Sequence, residues 1–124
     1  MKNTFLILIL FLSLYSCRNS YELSMERGEY FYNVGAYEEA TLEYKSVINH
    51  YPSDIKVLDE KTTHMLANAH HNLAVIFLKR STKTEDKIKK LSFLDQAISE
   101  AKKSYMLYPK DAYKETWDSI QSIL

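Results

Sequence analysis

The sequence predicts an all-α fold made of antiparallel helix pairs. Residues that interrupt helices and form hairpin turns are scarce, since the 124-residue chain contains only two glycines and two prolines. Apolar residues recur at intervals of three and four positions through most of the chain, which is the period of a helix. The alternation and turn dipeptides typical of strands and hairpins are lacking. Helices separated by short breaks are therefore expected throughout the chain.

The first element is an apolar leader. The run from Phe5 to Leu14 follows Lys2 and precedes the only cysteine, Cys17. This run is too short to span a bilayer, which requires roughly 20 residues. A short basic region before an apolar stretch of this length is typical of a signal peptide.

The end of this leader resembles the lipobox of bacterial lipoproteins. In the segment Leu14–Cys17, leucine stands three positions and serine one position before the cysteine. The resemblance implies cleavage before Cys17 and lipidation of that residue with acyl chains such as palmitate, which anchor a protein to a membrane. An ordinary cleaved signal or an uncleaved anchor remains the alternative. The predicted organisation is a signal peptide (1–16), a tether (17–20) and one helical domain (21–124).

Charge narrows the possible functions. After the predicted cleavage site the chain has 15 basic and 16 acidic residues, a balance without the basic excess of a nucleic-acid-binding domain. The segment Arg18–Glu60 has a net charge of −5, whereas Lys61–Leu124 has +4. Such a bipolar distribution can orient a partner or a membrane surface. Solvated helix faces that happen to differ are the alternative explanation.

Breaks in the helical pattern divide the domain into five helices. The breaks are expected at Asn33–Ala36, Pro52–Ile55, Ser81–Glu85 and Pro109–Asp111. The predicted helices cover residues 21–33, 37–51, 58–80, 87–107 and 111–124. The fourth carries an apolar stripe of Ile88, Leu91, Leu94, Ile98, Ala101 and Tyr105. The fifth has Tyr113, Trp117, Ile120 and Leu124 on one face.

Residues 21–54 resemble one tetratricopeptide (TPR) repeat, a 34-residue helix–turn–helix unit. With Tyr21 as position 1, six residues match the family's small, aromatic and turn positions: Gly28, Phe31, Gly35, Ala40, Tyr44 and Pro52. Small residues let the paired helices approach closely, and the aromatic residues fill the space around that contact. Gly35 can adopt the left-handed conformation that ends a helix, and Pro52 stops the next one.

A second, looser copy follows. Ala74 and Phe77 fit the first helix of a repeat, and Ala97 and Ala101 fit the second, with extra residues absorbed by longer helices. The fifth helix resembles the cap that such stacks require, with Trp117 in the core beneath it. The predicted architecture is a short TPR-like solenoid of about two repeats plus a C-terminal capping helix.

The TPR resemblance implies a partner-binding groove along the first helix of each repeat. The ten residues at the family's groove positions are Glu22, Met25, Glu29, Tyr32, Asn33, Asn68, His71, Val75, Leu78 and Lys79. Apolar members provide contact area, and asparagine can both donate to and accept from a peptide backbone. The alternative is that these are ordinary exposed residues of a helical domain.

Catalytic and metal-binding interpretations have little support. Among His64, His70 and His71, neighbouring side chains point about 100° apart on a helix, and the first two are not three or four positions apart. A zinc site would need further ligands. No phosphate-binding loop, nucleotide-binding glycine pattern or serine elbow is present. The chain is predicted not to be an enzyme, with no cofactor and no metal.

The combination of Cys17, the turn Gly35–Ala40 and the pair Tyr51-Pro52 resembles the BamD-type lipoproteins of outer-membrane assembly. The resemblance implies a periplasm-facing, lipid-anchored adaptor of the outer membrane. Its expected partners are a β-barrel insertase and unfolded outer-membrane protein segments, without nucleic acid. Two other functions stay open: a TPR lipoprotein of another envelope complex, such as pilus or cell-wall machinery, and a surface-exposed ligand-binding lipoprotein.

Overall fold

The computed structural model describes residues 20–51 and 58–124, and every regular element in these two ranges is an α-helix. The predicted all-α class is therefore confirmed. The helices are α1 (Ser20–Asn33), α2 (Tyr37–His50), α3 (Glu60–Lys83), α4 (Lys87–Leu107) and α5 (Asp111–Gln121). Predicted helix ends differ from these by at most three residues. The predicted signal peptide, Cys17 and Pro52 lie outside the described residues.

Each helix packs mainly against its neighbours in sequence, and α3 also touches α5. The most extensive contact joins α3 and α4. Tyr21 at the start of α1 stacks on His50 at the end of α2, with ring centroids 3.9 Å apart, so these two helices are antiparallel. The core is built around alanines and larger apolar residues that are almost fully buried. Its central members are Ala40, Tyr44, Val47, Leu73, Ala74, Ile76, Phe77, Ala97, Ala101 and Ile120.

The turn between α1 and α2 is closed by Gly35. Its φ of 78° lies in the left-handed region that L residues with a side chain rarely adopt. The Gly35 amide donates to the Tyr32 carbonyl (3.0 Å), and the Ala36 amide donates to the Phe31 carbonyl (2.8 Å). This pair of bonds is the Schellman motif, which satisfies carbonyls at a helix end. The role predicted for Gly35 is confirmed.

Gly35→Ala is expected to lower the free energy of unfolding by about 1 kcal/mol, because the left-handed conformation is unfavourable for a residue with a Cβ. A Cβ built at this position meets no atom within 4 Å, so the loss is conformational and not steric. Gly35→Asn should lose less, since asparagine tolerates this conformation. Chemical denaturation of both variants measures the difference. Equal losses for alanine and asparagine would contradict this explanation.

The helices α1 and α2 approach each other closely at Gly28. A Cβ at this position would come within 2.7 Å of the Tyr44 ring, which is closer than van der Waals contact permits. Tyr44 is itself 2% exposed, and burial raises the pKa of its hydroxyl to about 12. Ala40, in the same pair of helices, is completely buried. The predicted close contact between small and aromatic residues is therefore present.

The predicted break at Ser81–Glu85 begins too early, because α3 continues to Lys83. The hydroxyl of Ser81 donates to the Leu78 carbonyl (2.6 Å), and that of Thr82 donates to the Lys79 carbonyl (2.8 Å). Such bonds satisfy these polar side chains within the helix. Ser81 is also 1% exposed, so it packs as a core residue. The last residues of α3 are therefore helical, although their sequence is typical of a loop.

The start of the next helix is fixed by its cap. The Asp86 carboxylate accepts hydrogen bonds from the amides of Ile88 (2.9 Å) and Lys89 (3.2 Å). Capping by aspartate satisfies amides that have no partner in the first turn of a helix. The position of this cap explains why α4 begins at residue 87, as predicted.

The apolar stripe predicted on α4 is only half correct. Leu94 and Ala101 are buried, but Ile88 is 81% and Leu91 57% exposed. The first turns of α4 therefore present apolar side chains to solvent. The apolar residues of α4 do recur at intervals of three and four positions. This spacing does not indicate how far along α4 the neighbouring helices cover it.

The described helices are all too short or too polar to span a membrane.

Candidate partner-binding face

The ten predicted groove residues lie on α1 and α3, five on each helix. We call this surface the α1–α3 face. Near the starts of both helices, the Lys61 ammonium donates to the Glu22 carboxylate. Near their ends, the Lys79 ammonium lies 4.9 Å from the centroid of the Tyr32 ring. The two helices thus run in the same direction, and their side chains touch near both ends.

The contact between Lys79 and Tyr32 has an electrostatic consequence. The close contact with the Tyr32 side chain raises the pKa of the Lys79 ammonium above its ordinary value. The same lysine lies over the tyrosine ring, where the negative face of the aromatic system attracts a cation. At neutral pH this end of the face therefore carries a positive charge at a defined position.

The opposite end is an ion pair at the surface. The hydrogen bond to Glu22 raises the pKa of Lys61, whose side chain is 83% exposed. Exposed ion pairs contribute little to stability because water and salt screen them. Lys61 was not among the predicted groove residues. Its contribution is to link α3 to α1 and to neutralise one of the acidic groups on this face.

Burial divides the predicted residues into two groups. The exposed members are polar: Glu29, Asn33, Asn68 and Lys79. Among the half-buried members, Met25, Tyr32 and Leu78 pack against the hydrophobic core. Substitutions at these three positions would therefore disturb the fold as well as any bound partner. Asn68 is the exposed polar residue nearest to the middle of α3, which makes it the best position for probing the face.

His71 on this face is covered by α5. Its ring lies 4.7 Å from that of Tyr113, with 34° between the ring planes. The Nδ1 atom is buried and has no hydrogen-bond partner among the described residues. Burial, with a smaller contribution from Lys110, lowers the pKa of this histidine. His71 is therefore neutral at physiological pH and packs with α5, and it does not present a charge to a partner.

The sequence prediction missed the part of the face that lies beside the end of α4 and beside α5. The ring of His64, one turn before Asn68, lies 3.8 Å from that of Tyr108, which directly follows α4, with 38° between the ring planes. Residues 64, 68 and 71 are spaced by four and three positions, so they share one side of α3. That spacing was available in the sequence. The aromatic residues that contact this side of α3 could be recognised only in three dimensions.

The third histidine, His70, points to a different neighbour. Its Nδ1 donates to the Glu100 carboxylate at 2.5 Å, and the two side chains are 11% and 15% exposed. Lys103 also donates to Glu100, at 2.8 Å. Burial alone would raise the pKa of Glu100, but the hydrogen bonds from His70 and Lys103 lower it below its ordinary value. This cluster joins α3 to α4 and lies away from the α1–α3 face.

No metal-binding arrangement is found in the described parts of the chain, where three or more histidine, cysteine, aspartate or glutamate side chains never gather closely enough. The three histidines of α3 instead face Tyr108, Glu100 and Tyr113 respectively. The three histidines, which are close in sequence, therefore make separate contacts in the structure.

A search of protein-family models, curated proteins and solved structures finds no significant match to this chain. The case for a function therefore depends on the residues themselves. The feature that bears most directly on it is the α1–α3 face, which is mixed in polarity and has a side-chain contact between its two helices near each end.

Proposed function

We propose that this chain is a membrane-anchored, periplasm-facing adaptor that binds protein partners along the α1–α3 face and has no catalytic activity. The observation that carries the proposal is the alignment of α1 and α3 by the Glu22–Lys61 and Tyr32–Lys79 contacts. Two parallel helices held in this way offer a continuous surface to an extended segment. The anchor is the lipid expected on Cys17.

The finer fold that we propose is a TPR-like solenoid. In it, α1–α2 and α3–α4 are two repeats, and α5 is the capping helix. The tight Gly28–Tyr44 contact supports this arrangement in the first repeat. In the second, Ala74 and Ala97 are both completely buried at the corresponding small positions. Side chains of this size permit the close helix approach on which such repeats depend.

The chemistry of the face suits a peptide or an unfolded protein segment. Asn33 and Asn68 are exposed and can bond to both groups of an extended backbone. Half-buried Val75 and Leu78 lie between Asn68 and the end of α3, and they offer apolar area to a partner. Lys79 adds a fixed positive charge. We propose that the chain uses this face as an accessory subunit of outer-membrane β-barrel protein assembly, where unfolded segments are the partners.

Asn68→Arg tests the proposal. The larger charged side chain is expected to reduce recovery of a β-barrel partner from cross-linked membranes about tenfold, which corresponds to about 1.4 kcal/mol of binding free energy. The matched control is Asn49→Arg, which makes the same change at an exposed position on α2. The measurement is the amount of partner that co-purifies with the full-length chain.

Equal losses for the two variants would show that the α1–α3 face is not the binding surface. Failure of the unaltered chain to recover any β-barrel protein under mild solubilisation would overturn the assembly assignment itself.

A further inference from the structure

The start of α1 lies close in sequence to the expected membrane anchor. Ser20, the first residue of α1, follows Cys17 by only three positions. Three residues span at most about 11 Å even when the chain is fully extended. The lipid expected on Cys17 would therefore keep the first turn of α1 within about this distance of the bilayer surface.

Three rings meet beside the first turn of α1. The ring of Tyr21 lies 3.9 Å from that of His50 and 5.3 Å from that of Tyr51. The rings of His50 and Tyr51 are 5.4 Å apart. His50 is exposed, and both tyrosines are half-buried. The end of α2 therefore lies at the same end of the domain as the start of α1.

The start of α3 and the end of α4 lie at this end too. Lys61 donates to Glu22 in the first turn of α1. About one turn further along α3, the ring of His64 lies 3.8 Å from that of Tyr108. Residues 108–110, which connect α4 to α5, are all exposed. We call the surface formed by Tyr21, His50, Tyr51, His64 and residues 108–110 the tether end.

The composition of the tether end suits a neutral headgroup layer. Two lysines, Lys61 and Lys110, stand beside the carboxylates of Glu22, Asp59, Glu60 and Asp111, so the basic excess that attracts anionic lipid is lacking. Tyrosine, in contrast, is enriched where a membrane meets water, because its ring is apolar and its hydroxyl polar. Tyrosines occur on both sides of the contact between α1 and α3.

We propose that the tether end lies on the zwitterionic headgroup layer of the membrane, with the helices directed away from the bilayer. The proposal rests on the proposed function for the lipid on Cys17. The tether holds only the corner at the start of α1. Tyr108, which is 38% exposed and lies beyond α3, makes the second contact. Two separate contacts fix the orientation of the domain, whereas a single one permits it to tilt.

This orientation gives the α1–α3 face a direction. The Glu22–Lys61 contact lies at the membrane, and the Tyr32–Lys79 contact lies at the far end of the same two helices. Because α1 is about 21 Å long, Lys79 is presented well clear of the headgroups. A partner therefore meets this end of the face first when it approaches from the aqueous side.

Fluorescence quenching in vesicles tests the proposal. The full-length lipidated chain carries Lys110→Cys labelled with a fluorescent maleimide. The vesicles consist of phosphatidylcholine and phosphatidylethanolamine, with some lipid that bears a nitroxide quencher on its headgroup. Lys87→Cys is the matched control, since it makes the same change at an exposed position at the other end of α4. That helix is about 30 Å long, so quenching should be several-fold stronger at position 110 than at position 87.

Equal quenching at the two positions would overturn the proposal, because the domain would then lie on its side or tumble. Loss of the difference at high salt would also overturn it, since salt screens charges and leaves aromatic contacts intact. The unaltered chain reports on the anchor, because a lipidated Cys17 has no free thiol. If the unaltered chain takes up the label, the anchor and the proposal fail together. Equal quenching with an unlabelled Cys17 overturns the orientation alone.

Tyr108→Ser tests the second contact. In the Lys110→Cys chain it is expected to roughly halve the quenching, whereas Tyr108→Trp should preserve it, because tryptophan is also favoured at the interface. Tyr30→Ser is the matched control, since it removes a tyrosine that is 63% exposed near the opposite end of α1. Circular dichroism verifies that both serine variants keep their helix content. Unchanged quenching in Tyr108→Ser, or equal losses in the two serine variants, would overturn the contact at Tyr108.

Discussion

Gly28→Val is expected to lower the free energy of unfolding by about 3 kcal/mol, the upper part of the range for overpacked cores. The first added carbon would lie 2.7 Å from the Tyr44 ring. That ring is 2% exposed and belongs to the hydrophobic core, so it cannot move aside without displacing its neighbours. Chemical denaturation monitored by helix content gives the stability change.

A double-mutant cycle identifies the cause. Tyr44→Leu removes the ring atoms that the introduced valine would meet, so Gly28→Val should cost much less in that background than in the unaltered chain. Ser46→Val introduces the same side chain at an exposed position of α2 and should change stability by less than about 0.5 kcal/mol. If the loss at position 28 were the same in both backgrounds, the clash with Tyr44 would not explain it.

Local patterns predicted much of this fold. The fixed spacing between Gly28, Gly35, Ala40 and Tyr44 indicated a close helix pair and its turn, and all four residues take the expected places. Such features depend on residues near one another in sequence. The end of α3 was missed because Ser81 is buried in the core, a property that a hydroxyl residue does not show in the sequence.

The binding role of the candidate face stays a prediction. Its residues lie on α1 and α3, whose side chains touch near both ends. The sequence pattern did not reveal that α5 covers His71 through Tyr113. It also did not pair His70 with Glu100, because thirty residues separate them. Contacts over such distances depend on how α3, α4 and α5 pack.

Glu100→Ala is expected to lower the free energy of unfolding by about 2 kcal/mol at neutral pH, less than for a fully buried ion pair because the carboxylate is 15% exposed. The substitution removes the carboxylate that accepts the 2.5 Å hydrogen bond from His70. The His70 side chain, which is only 11% exposed, is then left without this partner. Glu60→Ala is the matched control. It removes a glutamate that lies 3.8 Å from His64 and is 90% exposed, so the loss should be close to zero.

The effect of Glu100 should depend on pH in a defined direction. Its pKa is lower in the folded chain than the ordinary carboxyl value, so the folded state favours the ionised form. The resulting stabilisation is complete above the carboxyl pKa of the unfolded chain and is lost as the pH falls through the lower, folded value. The difference in unfolding free energy between the unaltered chain and Glu100→Gln should therefore shrink as the pH falls below the carboxyl pKa of the unfolded chain. A difference that stays constant or grows would contradict this role of the ion pair.

His70→Leu combined with Glu100→Leu should recover most of the loss, because an apolar pair of similar size leaves no buried charge without a partner.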